Sequence, residues 1–134
     1  LMPQGVVLKI QLPVLPAIIQ ADLHRLTQVI TNLINNAAKF TTQGYILIKY
    51  DYTQDKRWIQ ISVTDTGKGI PADKQAQVFE RFNKLDEFAQ GTGLGLAICQ
   101  IIIEHFGGYI TLESKEGEGS TFIVTLPYTP GLSV

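Results

Sequence analysis

LHRLTQVITNLINNAAKF, residues 23–40, is the stretch from which the rest of the chain can be read. Leu26, Val29, Ile30, Leu33, Ile34 and Ala37 follow Leu23 at three- and four-residue spacing, which predicts an amphipathic helix from Leu23 to about Lys39, with Asp22 as its N-cap. At about 100° per residue, Arg25, Asn32, Asn36 and Lys39 fall within about 60° of one another. This polar stripe lies beside the apolar face rather than opposite it. Mid-helix asparagines compete with the backbone and cost a few tenths of a kcal/mol each, so their presence calls for a reason. One reading is that they satisfy neighbouring loop backbone. The other is a ligand site, in which an amide oxygen serves Mg²⁺ beside phosphate oxygens and Lys39 adds a point charge suited to phosphate.

Upstream of the helix, Val6–Leu12 reads as a strand, and Pro13 and Pro16 break the run before a short strand at Ala17–Gln20. Downstream, Tyr45–Tyr52 and Trp58–Thr64 read as strands joined by the polar turn Thr53-Gln54-Asp55-Lys56-Arg57. A short helix is expected around Asp73–Phe79 and an aperiodic loop at Asn83–Thr92. A second long helix is expected over Gly93–Phe106, stopped by Gly107-Gly108. A hairpin, Tyr109–Ser114 with Ser120–Leu126, closes the pattern. Helices interleaved with hairpins predict an α/β, two-layer sandwich: a mixed, mostly antiparallel sheet with three helices packed on one face. One domain is expected over residues 1–134, with its core at about 6–127.

Two further segments carry chemistry. Asp65 continues the parity of Ile59, Ile61 and Val63, so its carboxylate is expected on the core side of its strand. A buried carboxylate needs hydrogen-bond donors or it takes up a proton. Gly67 and Gly69 leave room for a flat ligand to approach, and an adenine amino group would serve as donor to Asp65; a tight Asp-capped turn without ligand is the alternative. Gly91-Thr92-Gly93-Leu94-Gly95-Leu96 leads into the second long helix, where bare backbone N–H groups suit a polyphosphate, although a flexible hinge would read the same way. The segment has no Gly-Lys-Ser/Thr and is not a Walker A loop.

Composition narrows the function classes. A net charge of −1 gives no general attraction to nucleic acid or anionic membrane. The single cysteine, Cys99, stands in apolar sequence and reads as a buried core thiol in a reducing compartment. No apolar run is long enough to span a bilayer, so no direct membrane contact is expected.

The segments occur in one order. Asn32–Thr41 resembles the N box of histidine kinases, Asp65–Pro71 their G1 box, Val78–Phe82 their F box and Gly91–Ile98 their G2 box. The resemblance runs from about Val6 to Pro127 and implies the Bergerat sandwich shared with gyrase B, mismatch-repair ATPases and the large heat-shock chaperones. It implies ATP and Mg²⁺ as ligands. Asn36 would hold the metal, with Asn32 nearby; Lys39 would reach the phosphates, with Phe40 near the base. Asp65 would take the adenine amino group in a pocket shaped by Gly67, Gly69 and Ile70. The segment 83–92 would be an ATP lid, with Arg81 or Lys84 approaching the γ-phosphate. Gly91, Thr92, Gly93, Leu94, Gly95 and Leu96 would offer backbone to the phosphates, and Thr121 would touch the adenine side. The short, glycine-poor lid resembles those of hybrid kinases.

Hydrolysing relatives carry glutamate at the position of Asn32, and an amide cannot act as a general base toward water. The resemblance therefore implies phosphoryl donation to a histidine on a separate dimeric helical hairpin of a parent kinase, with a response-regulator receiver domain downstream. Neither His24 nor His105, the two histidines present, stands in a phosphoacceptor box. A cytoplasmic location is expected, with the parent able to be anchored in the inner membrane. An ATPase and a nucleotide-sensing module without catalysis remain the competing readings.

Overall fold

The computed structural model describes residues 5–11, 23–55, 57–79 and 95–127. The strand expected at 17–20, the Asp22 cap and the 83–92 loop lie outside them. The described elements are β1 (Val6–Gln11), α1 (Leu23–Phe40), β2 (Gly44–Tyr52), β3 (Trp58–Asp65), α2 (Ala72–Gln75), α3 (Leu96–His105), β4 (Tyr109–Lys115) and β5 (Gly119–Pro127). They build one five-stranded sheet in the order β1-β2-β3-β5-β4. Only β1 and β2 run parallel, joined through α1; the other three pairings are antiparallel.

Strand alternation puts every second side chain on the helical face. Ile46, Ile59, Val63, Phe122, Val124, Leu126 and Ile110 supply the sheet side of the core, and Leu26, Val29, Leu33, Leu96, Cys99, Ile102 and Ile103 the helix side. Phe79 meets Phe122 edge-on, with ring centroids 6.1 Å apart, and anchors the chain after α2 to the same core. The expected mixed, mostly antiparallel two-layer sandwich with three helices is what the chain forms.

Two helix boundaries differ from expectation. The helix expected at 73–79 winds only through Ala72–Gln75 and continues as turns. The second long helix begins at Leu96, not Gly93, because Gly95 is extended (φ −87°, ψ 167°) and serves as N-cap. Its end is as expected from Gly107-Gly108. Gly107 takes a φ of 84°, its N–H donates to Glu104 O at 2.9 Å, and the Gly108 N–H donates to Ile103 O at 3.0 Å. This Schellman pair satisfies carbonyls that the helix end would otherwise leave open.

Candidate nucleotide site

α1 touches both the loop after β3 and α3. At its C-terminal end, the Phe40 carbonyl accepts from the Lys68 N–H at 3.4 Å, and the Lys68 ammonium stands 5.0 Å above the centre of the Phe40 ring. A cleft of about 390 Å³ opens here, lined by Lys39, Phe40, Thr42, Thr66, Gly67 and Lys68. About two turns toward its N-terminus, the fully buried Asn32 donates from Nδ2 to Cys99 Sγ on α3 at 3.2 Å. Cys99 is buried as expected, and it also holds the amide of an N-box residue 67 positions away.

The polar stripe divides by depth. Arg25 and Lys39 are exposed, whereas Asn32 and Asn36 are buried. Asn36 Oδ1 is one of two buried side-chain oxygens among the described residues with no hydrogen-bond partner, the other being Thr41 Oγ1. Leaving such an oxygen unpaired costs about 1–3 kcal/mol. Loop backbone does not satisfy Asn36 Oδ1, so the first reading of the stripe fails at this residue. A hard-oxygen donor held open in a buried place fits a divalent cation.

Asp65 is buried, as strand parity predicted. Its Oδ1 accepts from the Gly67 N–H at 2.9 Å. Burial pushes its carboxyl above the usual aspartate value, against the partly offsetting N–H groups of Gly67 and Ser120. A ligand that brings a further donor would favour the ionised carboxylate.

The G1 glycines serve the protein's own packing more directly than the sequence suggests. A Cβ on Gly67 would strike the Phe40 carbonyl, and one on Gly69, whose φ is +71°, would strike the carbonyl of Lys115. Gly69→Ala is therefore expected to destabilise by about 1–3 kcal/mol through strain and displaced backbone. Gly117→Ala, at a similar φ of +85° but facing open space, should cost less, about 1 kcal/mol. Urea unfolding of the two variants side by side checks this order.

The loop after β3 is tied to the β4–β5 hairpin. Lys68 O accepts from the Gly117 N–H at 2.7 Å, and the Ile70 N–H donates to Ser114 Oγ at 2.8 Å. Gln75 Nε2 donates to both Ile70 O and Ser114 O, each at 2.9 Å. Cross-strand register aligns Ile46, Asp65, Ser120 and Ser114 in one row across β2, β3, β5 and β4.

That row places Ser120, and not Thr121, opposite Asp65. Thr121 pairs with Thr64, hydroxyl to hydroxyl at 3.0 Å, on the opposite sheet face, because successive strand residues point to opposite sides. Ser120, one residue earlier and buried, occupies the place beside Asp65. Its parity with Phe122, Val124 and Leu126 was a readable signal; Ser114 and Lys68 offered none. Gly95 and Leu96 stand at the head of α3, with Gly95 O accepting from the N–H groups of Ile98 and Cys99 at 3.2 Å each. Arg81, Lys84, Gly91, Thr92, Gly93 and Leu94 lie outside the described residues.

Comparison with known proteins gives the family. The family described as "Histidine kinase-, DNA gyrase B-, and HSP90-like ATPase" matches residues 21–130. The circadian input-output histidine kinase CikA of Synechococcus elongatus is 44% identical over 115 residues, 82% of this chain and 15% of that protein. The sensor protein SrrB of Staphylococcus aureus is 46% identical over 111 residues, 79% of this chain and 19% of that protein. The chain thus spans less than a fifth of the length of these curated relatives. Full-length ShkA in complex with AMPPNP superimposes with a TM-score of 0.83 at 31% identity, over 96% of this chain and 27% of that one. The nucleotide-free catalytic domain of histidine kinase ThkA superimposes with a TM-score of 0.78 at 32% identity, over 94% and 82%. With a family match over residues 21–130, identities of 44% and 46%, and TM-scores of 0.83 and 0.78, the chain belongs to the histidine kinase-, gyrase B- and HSP90-like ATPase family and is a catalytic domain of the sensor histidine kinase type.

Proposed function

We propose that this domain binds Mg-ATP and donates the γ-phosphoryl group to a histidine on a separate dimeric helical hairpin of its parent kinase, from which a receiver domain is phosphorylated in turn. The observation that carries the proposal is the unpartnered, buried Asn36 Oδ1 on the same helix that holds Phe40 against the Asp65 loop. Asp65, with Ser120 at its side, would receive the base amino group. Asn36 would hold the metal through Oδ1, and Lys39 would reach the phosphates from the cleft. Bound Mg²⁺ would neutralise phosphate charge and orient the transferring group. Arg81, Lys84 and residues 91–96 would close around the phosphates.

Asn32 supports transfer to a partner rather than to water. Its amide accepts no proton, and its Nδ2 is engaged by Cys99. A steady ATPase therefore has no base at this position. The proposal extends to place: a domain drawing on ATP faces the cytoplasm. No helix among the described residues is long and apolar enough to cross a membrane, and any membrane anchor would belong to the rest of the parent.

Mixing the domain with a phosphoacceptor hairpin and Mg-ATP should yield an acid-labile, base-stable phosphoprotein, as expected of phosphohistidine. Phosphate release without the hairpin should stay far slower than transfer with it. ATP binding with no transfer to any offered hairpin would overturn the kinase reading.

A further inference from the structure

The row of polar residues across β3, β5 and β4 has a direction built into it. Ser114 Oγ lies 2.8 Å from the Ile70 nitrogen, 2.9 Å from the Gly119 carbonyl oxygen and 2.8 Å from Ser120 Oγ. A hydroxyl has one proton and two lone pairs. The Ile70 N–H can only donate and takes one lone pair; the Gly119 carbonyl can only accept and takes the proton. What remains on Ser114 is a lone pair, so in the arrangement that satisfies all three contacts Ser120 donates to Ser114. Gln75 Nε2 grips the carbonyls of Ile70 and Ser114 at 2.9 Å each, which holds the donor and the hydroxyl in register.

The Ser120 hydroxyl is left with lone pairs and no proton to offer, and the Ser120 N–H is already given to Asp65. Its cross-strand neighbour is Asp65, itself an acceptor. Both are buried, where a mismatched polar contact is costly.

We propose that Ser114 is a specificity-determining residue of the base pocket: by taking the Ser120 proton it makes the Asp65–Ser120 edge an all-acceptor edge, which selects a base presenting an amino group over one presenting a carbonyl there. This rests on the reading of Asp65 as the residue that meets the base. Asp65 alone favours an amino group, and Ser114 removes a neighbouring hydroxyl proton that could otherwise turn toward a carbonyl.

The test compares the affinities of this chain for Mg-ATP and for Mg-inosine triphosphate, which carries a carbonyl where ATP carries its amino group. Ser114→Ala frees the Ser120 proton, and the preference for ATP should fall by about fivefold, the worth of one neutral hydrogen bond. Ser114→Thr keeps a hydroxyl and should retain the wild-type ratio. Should Ser114→Ala fold poorly, Ser120→Ala removes the second acceptor directly and should also lower the ratio. A Ser114 that merely braces the loop would weaken both nucleotides equally, and an unchanged ratio in both alanine variants overturns the proposal. A wild-type chain that binds the two nucleotides equally would instead overturn the reading of Asp65 on which it stands.

Discussion

Asn36→Ala should abolish phosphoryl transfer while leaving the domain at least as stable as before. The two effects have opposite signs for one reason. In the folded chain Asn36 Oδ1 is buried without a partner, a condition that costs about 1–3 kcal/mol. Alanine removes that oxygen and is the better helix former in the middle of α1 by a few tenths of a kcal/mol. Thermal unfolding should therefore show an unchanged or raised Tm. Function should move the other way, because the residue that would hold Mg²⁺ is gone. Losing a pre-positioned electrostatic element of this kind lowers phosphoryl transfer by about a hundredfold or more. A readout independent of turnover separates this from general damage: the ATP affinity of the wild-type domain should depend on Mg²⁺, and that of the variant should not. A variant that keeps its Mg²⁺ dependence would show that Asn36 is not the ligand.

Asp65→Asn should weaken ATP binding by about 2–4 kcal/mol, because it deletes a charged acceptor and can turn a donor toward the donor of the base. The fold should not suffer. Burial raises the folded-state pKa of Asp65 above its usual 3.8, so the folded chain holds this proton more tightly than the unfolded one. For a carboxyl shifted in this direction, stability is greatest below the unfolded value and declines as pH rises through the folded one. Ionised Asp65 is thus a cost at neutral pH, and asparagine removes it. Nucleotide binding reverses the preference, since a ligand amino group favours the carboxylate. ATP affinity should fall as pH drops through the raised pKa, and binding in that range should release protons. Calorimetry in buffers of different ionisation heat measures the release directly. Its absence, with affinity flat through the acid range, would remove Asp65 from the base site.

Parity was the most dependable guide from sequence to site. It put Asp65 on the core face because Ile59, Ile61 and Val63 share its alternation, and the carboxylate is buried there. The same count along Phe122, Val124 and Leu126 leads to Ser120, whereas Thr121 faces the other way. Helix periodicity fixed α1 to within a residue of its end. Chain length in α3 was less legible, because a glycine can join a helix or cap it, and Gly95 caps. The function of the G1 glycines was only half visible. Sequence shows the missing side chains but not what fills their place, which is backbone from Phe40 and Lys115. Contacts between distant segments were invisible altogether, including Asn32 with Cys99 and Ser114 with Ile70 and Gln75. These follow from how the elements pack, and no local pattern announces them.

The sheet order has a consequence for how the domain is made. β5 follows every other strand in the sequence yet sits between β3 and β4. Until it arrives, β3 has one edge unpaired, β4 has no partner, and Asp65 lacks the Ser120 neighbour that completes its surroundings. Pairings of such long sequence separation form slowly. On a ribosome, where early segments emerge first, β1, α1, β2 and β3 can assemble well before the pocket exists. The newborn chain is therefore expected to stay blind to nucleotide until β5 clears the exit tunnel, so that ATP can stabilise only chains in which this domain is whole.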